Sequence, residues 1–378
     1  MKILWKLVYE ELHKEALNLQ YGARFYSLAE ICKRYDVSDI TARRVLQELQ
    51  KEGLVVKIKG RGTIVSRANK GSFSINLLFS EANFPYGTVF DYAGLSIYSG
   101  ICLQAEKYKL PLIVSYENYL AEMSAGKSDK QGFLFIGFLP SKECMRVITE
   151  RKHPFVIIQG IAKSQGMASV MYDREQGAFQ AVNHLISLGH KRIALVTGPI
   201  ANPVFLPIYQ GYRRALVEAD IELDLSLVRE TPDNVKAEDD SALQEMLEYS
   251  MPPTSVFAVY DKRAINILDY CLSNGIRVPE DLSVVGFGNS PEASFDKYSL
   301  TTVETHLDIV GKEAVNVLVD LGMSGKTCQP DMVIKPDLIV RKSTMQIGLA
   351  DGKKRVISVC REECANLLAD REVLAGTV

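Results

Sequence analysis

Residues 27–65 read SLAEICKRYDVSDITARRVLQELQKEGLVVKIKGRGTIV, and this stretch decides the fold of the amino-terminal part of the chain. Ser27 and Glu30 have the spacing of a capping box, with Leu28, Ile31 and Cys32 on one helical face behind it. A break at Tyr35-Asp36-Val37 follows. Ser38 then caps a further helix, whose Ala42, Val45, Leu46 and Leu49 point inward and which Gly53 ends. Leu54–Ile58 and Thr63–Val65 are β-rich runs around Lys59-Gly60-Arg61-Gly62, which predicts a hairpin with a basic tip. Helix, short turn, helix is the geometry that lays the second helix in a major groove of DNA. Upstream, Leu4, Leu7, Val8, Glu11 and Leu12 give one face of a first helix, and Trp5 is expected in the core of this head.

Charge supports a polyanionic partner. Residues 1–70 carry 14 Lys/Arg and 8 Asp/Glu, a net of +6, whereas the rest of the 378-residue chain has a net of -8. A basic module on an acidic body suits nucleic acid. The whole chain is 47% hydrophobic and 24% charged, which excludes a disordered or fibrous protein. No apolar run reaches the roughly 18 residues that span a bilayer, and charges scattered through the first helix exclude a signal peptide. Seven cysteines without a C-x-x-C pair fit a reducing cytoplasm, so a cytoplasmic location with no membrane partner is expected.

Arg67-Ala68-Asn69-Lys70-Gly71-Ser72 is polar and small and reads as a linker. Beyond it, strand candidates Ile75–Phe79, Leu112–Ser115, Gly132–Ile136, Phe155–Gln159, Ile193–Thr197, Val256–Val259 and Ser283–Phe287 alternate with helical patterns. The latter include Tyr98–Lys107, Glu175–Leu188, Tyr209–Ala219 and Lys262–Asn274. Such alternation predicts an α/β fold with parallel sheets. About 270 residues exceed one sheet, so two doubly wound lobes with a ligand cleft are expected behind a small winged helix-turn-helix. The boundaries are 1–67 for the DNA-binding head, 68–73 for the linker and 74–345 for a two-lobed effector-binding body. Residues 346–378 form a tail without an assigned role.

Two segments resemble known families. Ser38, Thr41, Arg43-Arg44, Leu46–Leu49, Glu52-Gly53-Leu54 and the wing Gly60-Arg61-Gly62-Thr63 resemble the winged helix of GntR-type regulators. Asp173, Gly177-Ala178, His184-Leu185, Leu188-Gly189-His190, Gly198-Pro199, Gly211-Tyr212, Asp261, Val278-Pro279, Asp281–Phe287 and Leu300–Val303 resemble the effector domain of LacI/GalR regulators, a periplasmic-binding-protein-like fold. The combination is similar to the arabinose-repressor type of hybrid. The resemblance implies a dimeric bacterial regulator whose DNA affinity responds to a small molecule. It also implies three chain crossings between lobes, one lobe being about 74–171 plus 304–334 and the other about 173–302.

For DNA contact the residues expected are Arg24 and Ser27 at the second helix, and Ser38, Asp39, Thr41, Arg43 and Arg44 at the third. Lys59, Gly60, Arg61, Gly62 and Thr63 complete the set in the wing. Arginines near the start of the third helix reach base edges and phosphates, and Ser38 and Thr41 supply hydroxyls. Two departures from the GntR pattern, Ala29 and Asp39, stand where many relatives carry arginine. Asp39 repels phosphate, although a carboxylate can accept from cytosine.

For the effector, polar or aromatic residues at the carboxyl ends of strands are expected: Asp91, Tyr92, Tyr116, Gln159, Tyr172, Asp261 and Asn289. Aromatic faces suit a sugar ring and carboxylates suit hydroxyls. Asp261 has an alternative role as a helix N-cap. Ile208 stands where sugar- and purine-binding relatives carry arginine, and Gly288-Asn289 where they carry an aspartate after the Gly-Phe step, which points either to an unusual, less polar ligand or to a site that no longer senses a sugar. His184 and His190 are expected to pack or cap, because no third metal ligand is spaced with them. Gly286-Phe287-Gly288 is too short for a dinucleotide fingerprint. Cys360 and Cys364, in a possible tail helix Arg361–Leu374, are unpaired thiols by this reading.

No nucleophile elbow, phosphate loop or metal pair is present, so neither enzyme nor cofactor is expected. The function read from these residues is a ligand-responsive transcription regulator of carbohydrate-related genes, with operator DNA and a sugar-like effector as partners and a homodimer as its assembly. The alternatives are a cytosolic small-molecule binding protein with little DNA affinity, or an α/β enzyme using the cleft.

Overall fold

A computed structural model of the chain describes residues 4–19, 23–52, 54–58, 62–65, 73–79, 92–117, 131–160, 167–232, 235–324 and 331–347. The chain divides into two compact units. One comprises Met1–Tyr172 with His306–Ile334, and the other Asp173–Thr305 with the chain from Lys335 onward.

The head opens the first unit with α1 (Leu4–Asn18), α2 (Leu28–Tyr35), α3 (Asp39–Lys51), β1 (Val55–Ile58) and β2 (Gly62–Val65). Both halves of the Ser27–Glu30 capping box are present, and Asp36 in the left-handed region at φ 50° closes α2 before Ser38 caps α3. Val8, Leu12 and Ala16 of α1 meet Ile31 of α2 and Ala42, Val45 and Leu49 of α3 in one small core that Phe25, Leu54, Val55 and Val65 close. The buried stripe of α1 differs from the expected one. Leu7 and Glu11 are exposed, because the i, i+4, i+8 row that faces the other helices is 8, 12 and 16. Leu46 is half-buried at the core's edge, and Trp5 packs there too. Gly53 lies outside the described residues.

The remainder of the first unit is β3 (Ser74–Phe79), α4 (Tyr92–Tyr108), β4 (Leu112–Tyr116), β5 (Gln131–Ile136), α5 (Lys142–Glu150), β6 (Phe155–Ile158) and β7 (Ser169–Tyr172). The second unit follows with α6 (Arg174–Ser187), β8 (Ile193–Thr197), α7 (Leu206–Glu218), β9 (Val228–Glu230), α8 (Lys236–Leu247), β10 (Ser255–Ala258), α9 (Asp261–Ser273), β11 (Ser283–Val285) and β12 (Thr302–Glu304). The chain re-enters the first unit as α10 (Leu307–Ser324) and β13 (Met332–Ile334), and the second as β14 (Asp337–Ile339).

Strands of the first unit pair in parallel in the order β13-β7-β6-β5-β3-β4, and those of the second in the order β11-β10-β8-β9. β12 and β14 form a separate antiparallel pair. Fully buried runs such as Ser74–Phe79 and Ile193–Thr197 are what a sheet covered on both faces requires. Three of the expected strands, Phe155–Gln159, Val256–Val259 and Ser283–Phe287, end one or two residues early. Phe155–Gln159 stops at Ile158 because Gln159 adopts φ 61°. The short strands β7, β9, β12, β13 and β14 were not expected, nor were α5, α8 and α10.

Two glycines let α4 and α10 approach backbone to backbone. A Cβ on Gly100 would lie 2.0 Å from the Asp308 carbonyl oxygen, and one on Gly311 would lie 2.1 Å from that of Ile97. Neither oxygen belongs to a flexible side chain, so the helices must separate if either residue grows. Gly311→Ala is therefore expected to destabilise the first unit by about 1–3 kcal/mol, as overpacking does, despite the better helix propensity of alanine. An unchanged urea midpoint would contradict this.

Candidate functional site

The head's outward surface is built by α3. With Ala42, Val45 and Leu49 buried, helical periodicity turns Asp39, Ile40, Arg43, Arg44 and Gln47 to solvent. Arg43 Nη2 lies 2.9 Å from Asp39 Oδ2 across one turn, and this carboxylate holds the guanidinium pKa above its usual value. The Arg44 guanidinium sits over the Trp5 ring, 4.1 Å from its centroid. Cation–π attraction at this distance restrains a long side chain, and Arg44 nevertheless stays exposed. The Ser38 hydroxyl accepts the Thr41 backbone N–H at 3.4 Å and lies 3.1 Å from the Thr41 hydroxyl. Both hydroxyls thus mark the first turn of α3, where the helix end favours an anion.

Other expected contacts are placed differently. Arg24 is exposed but paired to Glu30 at 2.8 Å, and the Ser27 hydroxyl accepts from the Glu30 N–H inside the capping box. Thr63 is only 5% exposed, and its carbonyl accepts the Phe25 N–H at 2.8 Å. The pleat turns its side chain inward, which corrects its assignment as a DNA contact. Gly62, at φ 81°, opens β2 with open space where a Cβ would stand. Lys59, Gly60 and Arg61 lie outside the described residues. Ile40 was not singled out by sequence reasoning, yet it is 80% exposed. The signal was available: an isoleucine about half a turn around the helix from Ala42, Val45 and Leu49 has no core to enter.

In the first unit, parallel strands bring several expected effector residues to one sheet edge. Gln159 follows β6 and Tyr172 ends the adjacent β7, where it is buried. Tyr116 ends β4, three strands from β6 and so about 14 Å away at the usual strand spacing. Tyr92 opens α4 and is exposed. Asp91 lies outside the described residues.

At the carboxyl edge of the second unit several buried polar groups satisfy one another. Asp261 is 2% exposed; Oδ1 accepts the Thr302 hydroxyl at 2.5 Å and Oδ2 accepts the Ser290 N–H at 2.6 Å. It is the first residue of α9, not its N-cap, which is Tyr260. Both carboxylate oxygens thus accept bonds inside the protein, and the N-cap role is corrected. Asn289, in the left-handed region at φ 49°, donates Nδ2 to Glu304 and accepts from Arg341 Nη2, each at 2.7 Å. Its amide bridges β12 to the chain after β14 instead of presenting a bare group. Ile208 is fully buried in α7.

Sequence reasoning missed a second buried cluster here. Asp239 accepts the Thr231 hydroxyl at 2.7 Å and Asn266 Nδ2 at 2.8 Å, with Arg263 Nε 3.4 Å from its Oδ1. Arg263 also donates to Thr231 Oγ1 at 2.8 Å, to the Thr231 carbonyl at 2.7 Å and to the Val259 carbonyl. An acid at the core-facing position of α8, in register with Ala242, Leu243 and Met246, was the available clue. His190 is buried between Thr254 and the Met345 carbonyl, and His184 meets the Thr344 hydroxyl at 3.0 Å; burial lowers both pKa values. Both pack as expected. Among the described residues no group of three His, Cys, Asp or Glu is placed to hold a metal. Cys360, Cys364 and the tail helix expected at Arg361–Leu374 lie outside the described residues.

The comparisons with known proteins divide in the same way. Residues 8–65 match the gntR family of bacterial regulatory proteins, and residues 182–344 match the periplasmic binding protein-like domain. The chain is 28% identical over 314 residues to the HTH-type transcriptional regulator CelR of Thermobifida fusca, covering 81% of this chain and 90% of that protein. It is 32% identical over 191 residues to the HTH-type transcriptional repressor CytR of Escherichia coli, covering 50% of this chain and 56% of CytR. The structure of a transcriptional regulator CelR–cellobiose complex superposes with a TM-score of 0.61 at 24% identity, covering 81% of this chain and 91% of that one. At that identity the likeness is one of fold. No described helix is long and apolar enough to cross a membrane.

Burial raises the Asp261 pKa to about 6, against the Thr302 and Ser290 hydrogen bonds and the Arg341 charge, which pull it down. A raised carboxyl favours the folded state while protonated. That contribution is full below the unfolded value near 4 and is lost as pH rises through about 6. Relative to Asp261→Asn, the wild type is expected to lose about 3 kcal/mol between pH 4 and 7. Parallel urea titrations of the two proteins across that range would show no divergence if the carboxyl is ordinary.

Proposed function

We propose that this chain, a GntR-type helix-turn-helix head on a LacI/GalR-like body, is a transcription regulator whose operator affinity is set by a small-molecule effector. The observation that carries the DNA-binding half is the solvent face of α3, where Arg43 and Arg44 stand beside the first helical turn of a winged helix. Steric access, positive charge and a helix end coincide there, and those are what a major groove and its flanking phosphates demand.

The effector is a sugar or a related small molecule, in keeping with the cellobiose named for the CelR complex. It binds at the carboxyl ends of the strands, with Tyr92, Gln159 and Tyr172 as candidate contacts from the first unit. Asp261 and Asn289 shape their surroundings through internal hydrogen bonds and need not touch it.

The working assembly is a homodimer that sets two heads on two half-sites. Its support is an uncovered apolar face in the first unit. Leu95 and Leu103 project from α4, and Ile113 and Val114 are both exposed on β4, the edge strand of its sheet. Adjacent residues of one strand point to opposite faces, both of these are exposed, and no described strand pairs with this edge, a state that proteins usually cover or blunt with charge.

Two measurements test the proposal. Fluorescence anisotropy with duplexes from upstream of the protein's own gene is expected to show binding whose logarithm falls linearly and steeply with the logarithm of salt concentration. Absence of binding at low salt would remove the regulator reading in favour of a small-molecule binding protein. Leu103→Glu is expected to convert the dimer to a monomer in light scattering, and an unchanged mass would exclude this face.

A further inference from the structure

The outward face of α3 carries more than phosphate neutralisation requires. Asp39 adds a negative charge to a surface built for a polyanion, which is adverse unless the carboxylate has a task. Ile40, 80% exposed, places a bare β-branched side chain among Asp39, Arg43 and Arg44. The two arginines are held in unlike ways. Arg43 is tied by Asp39 to its own helix, and Arg44 is laid on the Trp5 ring of α1.

We infer that Asp39, Ile40 and Arg43 form a base-reading unit for a guanine and a thymine in the operator half-site, and that Arg44 serves as a phosphate arm. This rests on the regulator reading. Arg43 has five N–H donors, and the bond to Asp39 uses Nη2, leaving the rest of the fork for O6 and N7 of guanine. An exposed arginine sweeps many rotamers, and the carboxylate one turn away limits that freedom before DNA arrives. Asp39 is thus a positioning residue acting through Arg43. Ile40 offers no hydrogen bond, and the apolar feature of a major groove is the thymine 5-methyl group. Residues three apart on a helix stand about 5–6 Å from each other, so the two bases lie within about two steps of one another. The contact with Trp5 ties Arg44 to α1 rather than to the Asp39–Arg43 pair, and the phosphate role therefore falls to it.

The test is selection of duplexes from a random library by the full-length protein and by Asp39→Ala, Ile40→Ala, Arg43→Ala and Arg44→Ala. All four side chains are exposed, and thermal melts establish that each variant stays folded. The wild type is expected to select half-sites with a fixed guanine and a fixed thymine. Arg43→Ala and Asp39→Ala relax the same guanine position, by about 10-fold and about 3-fold, while Ile40→Ala relaxes the thymine. Arg44→Ala weakens all duplexes alike. Replacing the selected thymine by deoxyuridine removes only the methyl group; it is expected to weaken the wild type about 3-fold and Ile40→Ala not at all. The inference is overturned if Asp39→Ala relaxes no position, or a different one from Arg43→Ala, or if deoxyuridine acts equally on wild type and Ile40→Ala. Those results leave DNA binding standing, whereas failure of the wild type to retain any duplex removes the regulator reading as well.

Discussion

The head depends on one packing constraint. α3 must bury Ala42, Val45 and Leu49 against α1 and α2, because a module this small has a single core and no other helix can close it. Once that face is committed, the 3.6-residue period leaves Asp39, Ile40, Arg43 and Arg44 no direction but outward. Core packing and DNA-facing chemistry are therefore two sides of the same helix. α1 takes part in both, since Leu12 enters the core while Trp5, at its first turn, supports Arg44.

A different constraint governs the second unit. Parallel strands converge their carboxyl ends on one edge, and every backbone and side-chain polar group buried there needs a partner. Asp261 joins the start of α9 to Thr302 and Ser290, and Asp239 joins α8 to Thr231 and Asn266 with Arg263 close by. Breaking one partner of such a buried pair is costlier than the pair is stabilising, so these groups specify the local arrangement more than they add to stability. Gly286 is part of the same fit, because a Cβ there would lie 2.3 Å from Asp261 Oδ1. Polar residues near strand ends can serve the protein's own interior, and Asp261 does.

Much of the fold was legible in the residues. The Ser27–Glu30 capping box, the Ser38 cap and the inward row of α3 identify the head by local chemistry alone, because a helix end must satisfy its own N–H groups. Strands with uninterrupted apolar runs, such as Ile193–Thr197, were equally plain. The three-residue strands β9, β12, β13 and β14 were not, since a run that short has no period to detect and is set by its neighbour in the sheet. α10 was missed for another reason: most of its faces are buried against α4 and the sheet, which blurs an amphipathic signal. Of the site residues, the arginines of α3 follow from spacing, whereas the inward turn of Thr63 needed the observed register of Lys57 against Thr63.

The sequence by itself determined the helices and hairpin of the head, the long apolar strands of the body, the basic head and acidic body, and the identity of the helix that faces outward. All of these follow from interactions within about one helical turn or from charge counted along the chain. Only the tertiary structure decided that Asp261 is buried and spoken for, that Asn289 bridges Glu304 and Arg341, and that Trp5 lies beneath Arg44. Those contacts join residues from 15 to 52 positions apart, and no local preference records which distant group will meet a given side chain once the chain has closed on itself.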